Sequence, residues 1–333
     1  MKKPIYIAIT GAAGQIGYSL IFRIASGEVF GHDQPIILNL IEIPSKINIL
    51  HGLVMELNDS AYELLNKITI TDKYAIGFKK INWALLIGSY PRTKNMNRND
   101  LLSVNGKIFA YQGKALNEYA SKNVHVLVVG NPCNTNCLIA MNNAPTIPRN
   151  QWFAMTRLDE NRAKFQIAKK AKVAIKKITN LIIWGNHSKT QYPDFYNAKI
   201  FKKPVTTIIL DHKWLKNNFI QKVQNRGDEI IKIKGKSSIA SAANAIVDTI
   251  KSLLNKNKDN DFYSLGVYSN GNKYGFAENL IISLPVKTIS YNNFKINYKV
   301  VDNLLINKFS QQKINISIQE LIKERDSIMR YLV

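Results

Sequence analysis

Acid and cysteine are what this chain has least of. Asp and Glu number 23 against 46 Lys and Arg, and only two cysteines, Cys133 and Cys137, occur in 333 residues. Two cysteines cannot make a disulfide framework, so the sequence reads as a protein of a reducing, cytoplasmic compartment. Glycine (17) and proline (10) are too few for a collagen-like chain, and 46% hydrophobic residues are too many for a disordered one. No apolar run approaches the roughly 20 residues of a membrane span. The opening MKKPIYIAIT loses its apolar character at Thr10-Gly11 with no cleavage-like site behind it, so neither a membrane nor secretion is expected.

The net charge of +23 invites a nucleic-acid reading, but its distribution argues against one. Residues 1–150 hold 15 basic and 9 acidic residues, and residues 151–333 hold 31 and 14, so the excess is spread through the second half without forming a tail. Lys169-Lys170-Ala171-Lys172 and Lys176-Lys177 lack the interleaved aromatics that stack on bases. Lys, Asn and Ile, all with A- and T-rich codons, are heavily used together. A base-biased genome explains the charge better than a nucleic-acid partner, and none is expected.

Ile5 to Thr10 is a β-branched run that breaks at Gly11 and passes into helical spacing from Tyr18. Ile36 to Ile41, Trp83 to Ser89 and Val124 to Gly130 repeat the buried-strand pattern, with helical segments between them. Buried strands alternating with helices imply a doubly wound parallel sheet, whose ligands bind beyond the carboxyl ends of the strands. Past residue 155 the pattern changes to helices near 159–172, 211–234 and 237–254, and β-type runs near 180–185, 262–269 and 280–300. The expected fold is α/β, an N-terminal domain over 1–155 followed by an α+β substrate domain over 156–333. Ser317-Ile318-Gln319-Glu320, flanked by Ile316 and Leu321, has capping-box and staple spacing, which predicts that the last helix starts there.

Gly11-Ala12-Ala13-Gly14-Gln15-Ile16-Gly17 joins a strand to a helix, so backbone amides at the helix N-terminus can receive a pyrophosphate. A glycine triplet alone is weak evidence. Glu42 ends the next strand, where a carboxylate accepts both ribose hydroxyls of an adenosine and repels a 2′-phosphate. With no neighbouring Arg or Lys suited to that phosphate, the pattern points to a Rossmann domain and to NAD.

His187 follows the strand-like Ile182-Ile183-Trp184-Gly185 into a polar loop, a place where a structural histidine is as natural as a catalytic one. Asp159 stands near a helix start and could be an N-cap. Together they would form a proton relay, the carboxylate fixing the imidazole tautomer. Arg92, Arg98 and Arg162 are each readable as surface residues, yet three guanidinium groups near a nicotinamide would suit a substrate with two carboxylates and a reactive carbonyl.

Thr10 to Tyr18, Met55-Glu56-Leu57, Pro91-Arg92 with Met96 and Arg98, Asn99 to Leu102, Val129-Gly130-Asn131-Pro132 with Asn134-Thr135-Asn136, Thr156 to Lys164, and Trp184 to Ser188 carry a resemblance that runs in order from about residue 4 to 330. The chain resembles malate dehydrogenase of the cytosolic type, bacterial members included, within the lactate/malate dehydrogenase superfamily. The resemblance implies NAD-dependent interconversion of malate and oxaloacetate, a step of the tricarboxylic acid cycle, and a homodimer. It implies that His187 is the acid/base and Asp159 its partner, that Arg162 binds the carboxylate beside the reacting carbon and Arg92 the distal one, and that Arg98 polarises the carbonyl. It makes Asn131 a contact to substrate and cofactor, with Asn105, Gln112, Val129 and Gly130 lining the nicotinamide side, and the loop from Arg92 to Arg98 a lid.

Some positions depart from the family pattern: Thr93 and Asn95 in the lid, Cys133 in the Asn-Pro turn, Glu160 adding negative charge near the relay, and Lys189, which would lower the pKa of His187 if it pointed inward. The alternatives are a dehydrogenase of another 2-hydroxy acid such as lactate, or a non-catalytic nucleotide-binding protein. The Ala-rich segment 237–254 offers a small-residue surface for a dimer.

Overall fold

The computed structural model describes residues 2–90, 98–257 and 261–332, with Arg98 and Asn99 described by their backbone alone. Six strands, β1 (Ile5–Thr10), β2 (Ile36–Ile41), β3 (Leu65–Thr71), β4 (Trp83–Leu86), β5 (His125–Val128) and β6 (Trp152–Ala154), pair in parallel in the order 3-2-1-4-5-6. The order reverses beside β1, where a doubly wound sheet opens a crevice. Alternation along β1 sorts its side chains to two faces. Ile5, Ile7 and Ile9 join a core with α1 (Gln15–Ala25) and α2 (Ile47–Asp59), while Ala8 faces α3 (Arg98–Tyr119) and α4 (Cys133–Asn142). With both faces covered, the central strands are mostly apolar, as parallel strands tend to be, with Asn39 in β2 and His125 in β5 among the buried polar exceptions.

The second half begins with α5 (Arg157–Ala171) and a small antiparallel hairpin of β7 (Ile182–Trp184) and β8 (Tyr192–Asp194). An irregular wide turn over Trp214–Phe219 runs into α6 (Ile220–Lys234), and α7 (Ala240–Leu254) follows. Strands β9 (Tyr263–Tyr268), β10 (Ile281–Asn292) and β11 (Lys295–Val300) then pair antiparallel and join the parallel sheet through Gly266 and Ala154. The two halves therefore share one sheet, nine-stranded among the described residues. Among the described residues no helix is long and apolar enough to cross a membrane.

Two expectations are corrected. The last helix, α8 (Lys308–Ser327), starts nine residues before Ser317, with the Asn307 side chain accepting from the Ser310 amide at 2.9 Å. Ser317 is buried within a helix already under way, so it has no unpaired first-turn amide to cap, and half-exposed Ile316 staples nothing. Three of the four α7 alanines do not form the small-residue surface expected of them either. Ala242, Ala243 and Ala245 are buried in the chain's own core, where their small side chains let α7 lie close on α1 and α5.

Candidate active site

Gly11 and Gly17 shape the crevice. Gly11 has φ +67°, and a Cβ there would lie 2.5 Å from the Gly88 Cα at the end of β4. A Cβ on Gly17 would lie 2.6 Å from the Ala12 carbonyl oxygen. Side chains at either position would push the helix off the strand. Beyond the turn lies a groove of about 850 Å³ lined by Gly11, Gly14, Gln15, Ile16, Gly17, Glu42, Tyr74, Tyr111 and Gln112 among others. Ala12 is fully buried behind it, and the Ala13 amide donates to Glu42 Oε2 at 3.2 Å. Glu42 Oε1 accepts from its neighbour's amide, Ile43, at 3.0 Å. Two backbone donors thus fasten the carboxylate at the end of β2. Lys46 and Lys73 line the same groove, which corrects the expectation that no basic residue stands near Glu42: Lys46 follows it by one turn, and Lys73, distant in sequence, arrives from the end of β3.

The residues present fit a dinucleotide. The glycine cradle, the amides of α1 and the carboxylate at the strand end are the groups its pyrophosphate and ribose need. The Gln112 side chain, which lines the groove, donates to the Tyr74 hydroxyl at 3.0 Å, while its buried Oε1 has no partner among the described residues. Asn105 does something else. Fully buried, it clasps the chain after β4, accepting from the Tyr90 amide at 2.8 Å and donating to the Tyr90 carbonyl at 3.3 Å and the Asn131 carbonyl at 3.5 Å. Val129 and Gly130 are buried and Asn131 is exposed.

The acid/base pair lies in the second half. Thr156 occupies the N-cap position of α5, so Asp159 is a first-turn residue and not the cap, where the helix dipole favours its anionic form. The Thr156 hydroxyl accepts from Ser283 at 2.9 Å, and the Ser283 backbone exchanges two hydrogen bonds with Gly185. That strand of β10 thereby brings the start of α5 beside the end of β7. Asp159 Oδ2 and His187 Nδ1 are hydrogen-bonded, with Asp159 wholly buried and His187 nearly so. Asp159 Oδ1 accepts from Arg162 Nη1 at 3.2 Å. Burial pushes the Asp159 carboxyl up, but the facing imidazole and the Arg162 guanidinium outweigh it and hold the group below the usual carboxylate range.

A connection that the sequence does not announce ties the pair to the groove. Ser237 and Ile239 line the groove, and Ser238 between them accepts from Arg162 Nη2 at 3.1 Å. The His187 amide donates to Asn134 Oδ1 at 3.0 Å, and Asn134 donates to the Ile281 carbonyl at 2.9 Å. The pattern Ser237-Ser238 before an Ala-rich helix was the only trace of this in the sequence.

The departures resolve by geometry. Lys189 points out to Asp228 on the surface, so it does not bear on His187 as an inward lysine would. Glu160 is fully buried, but Lys164 at 2.6 Å, Arg157 at 3.5 Å and the Ser264 amide at 2.7 Å compensate its charge. Cys133 is a buried small hydrophobe whose thiol burial pushes up. Arg92, Thr93 and Asn95, and the lid to which they were assigned, lie outside the described residues. Arg98 opens α3, its side chain outside the described part.

A glycine cradle at a sheet's reversal point, with a buried Asp–His pair joined to it through an arginine, defines a dinucleotide-dependent oxidoreductase. The model of the lactate/malate dehydrogenase NAD binding domain matches residues 5–153, and that of the lactate/malate dehydrogenase alpha/beta C-terminal domain matches residues 156–331. The chain belongs to the lactate/malate dehydrogenase family. It is similar to a chloroplastic NADP malate dehydrogenase of Mesembryanthemum crystallinum, 51% identical over 97% of this chain and 73% of the relative. Among solved structures, a malate dehydrogenase from Naegleria fowleri superposes with a TM-score of 0.95 at 41% identity, covering all of both chains. A Trichomonas vaginalis lactate dehydrogenase in complex with NADH and oxamate reaches 0.92 at 33% identity, covering 98% of this chain and 99% of that one.

The chloroplastic relative overturns the cytoplasmic location expected from composition. Few cysteines and short apolar runs separate reducing compartments from secreted ones, and a reducing organelle interior answers that description as well as the cytoplasm does.

Proposed function

We propose that this chain is an NAD-dependent malate dehydrogenase that interconverts (S)-malate and oxaloacetate. The observation that carries the reading is the Asp159–His187 pair, coupled through Arg162 and Ser238 to the segment lining the dinucleotide groove. A non-catalytic nucleotide-binding protein needs no such pair.

The cofactor supplies the hydride acceptor and donor when bound. Gly11, Ala12, Ala13, Gly14, Gln15, Ile16 and Gly17 would receive its pyrophosphate, and Glu42 its adenosine ribose. Asn105, Gln112, Val129, Gly130 and Asn131 would line or support the nicotinamide side. Asp159 holds the His187 proton on Nδ1, which leaves Nε2 to exchange a proton with substrate. In malate oxidation neutral His187 takes the hydroxyl proton. In oxaloacetate reduction it starts protonated and gives that proton to the carbonyl oxygen, so the two directions need opposite protonation states of one imidazole. Arg162 would pair with the carboxylate beside the reacting carbon, Arg92 with the distal one, and Arg98 would stabilise charge growing on the carbonyl oxygen. The homodimer rests on the family resemblance and is checked by sedimentation.

The fastened Glu42 supports NAD; Lys46 and Lys73 beside it, and the NADP-dependent relative, support the second reading, NADP. Steady-state rates with oxaloacetate and pyruvate, each with NADH and NADPH, test the proposal. Preference for oxaloacetate with NADH is the expected result. Preference for pyruvate makes the chain a lactate-type enzyme, and no turnover with any pair refutes the catalytic reading.

A further inference from the structure

Ser317-Ile318-Gln319-Glu320, which caps no helix, faces the loop that carries His187. Ser317 Oγ accepts from the Asn186 amide at 2.8 Å and lies 3.0 Å from Thr190 Oγ1, to which its own hydroxyl can donate. Glu320 Oε2 accepts from the Asn186 side chain at 3.0 Å, from Thr190 Oγ1 at 2.6 Å and from the Ser188 hydroxyl. One turn on, buried Glu324 accepts from the Asn186 side chain at 2.8 Å through Oε1 and from the Thr135 hydroxyl through Oε2. Residues 186 and 188, on either side of His187, are thus both fastened to α8. Glu324 also joins Asn186 to Thr135, whose neighbour Asn134 receives the His187 amide.

We propose that Glu320 and Glu324 of α8 are positioning residues for His187: their carboxylates bond the residues on both sides of it and join its loop to the Asn134–Thr135 segment. This inference rests on the acid/base reading of His187. A loop with several polar side chains could satisfy itself in many ways, and a single turn of α8 selects one of them. Two carboxylates four residues apart repel each other on a helix, so placing them together has a cost that neither apolar packing nor helix propensity recovers. The shared donor, Asn186, and the hydroxyls of Ser188, Thr190 and Thr135 give these oxygens charge-assisted hydrogen bonds. What is held in return is the backbone on each side of His187, and with it the direction of the imidazole.

The test compares Glu320→Leu and Glu324→Leu with Glu320→Gln and Glu324→Gln. Glutamine keeps a carbonyl acceptor for Asn186 and, at Glu324, an amide able to donate to the Thr135 hydroxyl, so it preserves the bonds while removing the charge. Measured with oxaloacetate and the preferred reduced cofactor, kcat per cofactor-binding site counted by fluorescence titration should fall roughly 10- to 100-fold in the Leu variants, as expected for misplacing a reacting group. The cofactor Kd should hold, and Gln should recover most of the loss. A merely structural role would remove binding sites and leave kcat per site alone. Glu320, less buried than Glu324, keeps the test open if Glu324→Leu does not fold. Unchanged kcat per site in Glu320→Leu overturns the proposal, and so does a Gln loss as large as that of Leu, which would mean charge and not bonding. His187→Asn, run alongside, separates the two claims: if it keeps full rate, the acid/base reading itself fails.

Discussion

The two ends of the site are built differently. The dinucleotide end is local: β1, its glycine turn and α1 are one continuous stretch, and Glu42 ends the adjacent strand. The proton-handling end is assembled from afar. His187 meets Asp159 across 28 residues, Asn186 meets Glu324 across 138, and Arg162 meets Ser238 across 76. Local sites are held by backbone geometry that few side chains can change. Assembled sites depend on each partner arriving, so single substitutions should divide the two ends cleanly.

The largest expected effect is at the assembled end. His187→Asn and Asp159→Asn should each lower kcat by about 10²- to 10⁴-fold, the range of general acid/base catalysis. Cofactor affinity by fluorescence titration should stay near wild type, because the cradle at Gly11 to Gly17 shares no side chain with the pair. Loss of cofactor binding in either variant would show that the two ends are one unit.

Next is Arg92, the residue proposed to select the acid. If its guanidinium meets the distal carboxylate in a closed site, Arg92→Gln leaves a buried charge unpaired at roughly 3 to 5 kcal/mol. Oxaloacetate efficiency then falls about 10²- to 10³-fold, since each 1.4 kcal/mol is tenfold, while pyruvate holds or improves. Equal loss with both acids would remove Arg92 from specificity.

That contrast also explains what was legible. The doubly wound sheet, the cradle and Glu42 could be read because strand periodicity, glycine spacing and a strand-end carboxylate are properties of neighbouring residues. Asp159 and His187 could be singled out by position, but their pairing came only from the resemblance, since nothing in either segment says that Ser283 brings them together. Ser317 to Glu320 misled for the same reason: the spacing of a capping box is local, but its use depends on whether a helix has already started at Asn307. The α7 alanines misled likewise, because small residues in a helix report close packing and not whether the partner is α1 or a second chain.

A third effect should belong to neither end. His125 lies between Trp83 and Phe153 in the parallel sheet, ring centroids 5.3 and 6.4 Å away. Burial pushes its pKa down from 6.5 to about 4. Below pH 6.5 the unfolded chain takes up a proton that the folded chain refuses until about pH 4, so stability is full above that window and falls with pH through it. His125 should contribute about 2 kcal/mol of destabilisation between pH 7 and pH 5, at about 1.4 kcal/mol per pH unit once below its unfolded pKa. Urea unfolding at both pH values checks it: His125→Leu should lose about 2 kcal/mol less than wild type on acidification. An identical slope in the two proteins would assign the acid sensitivity elsewhere.

The smallest expected effect falls at the local end, on the choice between NAD and NADP. Glu42 is fastened through the Ala13 and Ile43 amides, so it cannot turn aside for a 2′-phosphate without abandoning two donors. Lys46 and Lys73 are exposed on long stems and can approach such a phosphate once the carboxylate is gone. A hydrogen bond to a charged group contributes about 1.5 to 3 kcal/mol, so Glu42→Ser should raise the ratio of NADP to NAD efficiency by roughly 10- to 100-fold. The change should arise from both sides, weaker NAD through the lost ribose acceptor and stronger NADP through the lost repulsion. Because His187 is untouched, kcat at saturating cofactor should stay near wild type. If the wild type already uses NADP as well as NAD, the lysines outweigh the carboxylate and the NADP reading replaces the NAD one. If Glu42→Ser leaves the ratio unmoved, cofactor choice is not made at this strand end at all, and the local half of the site is less self-contained than its sequence suggests.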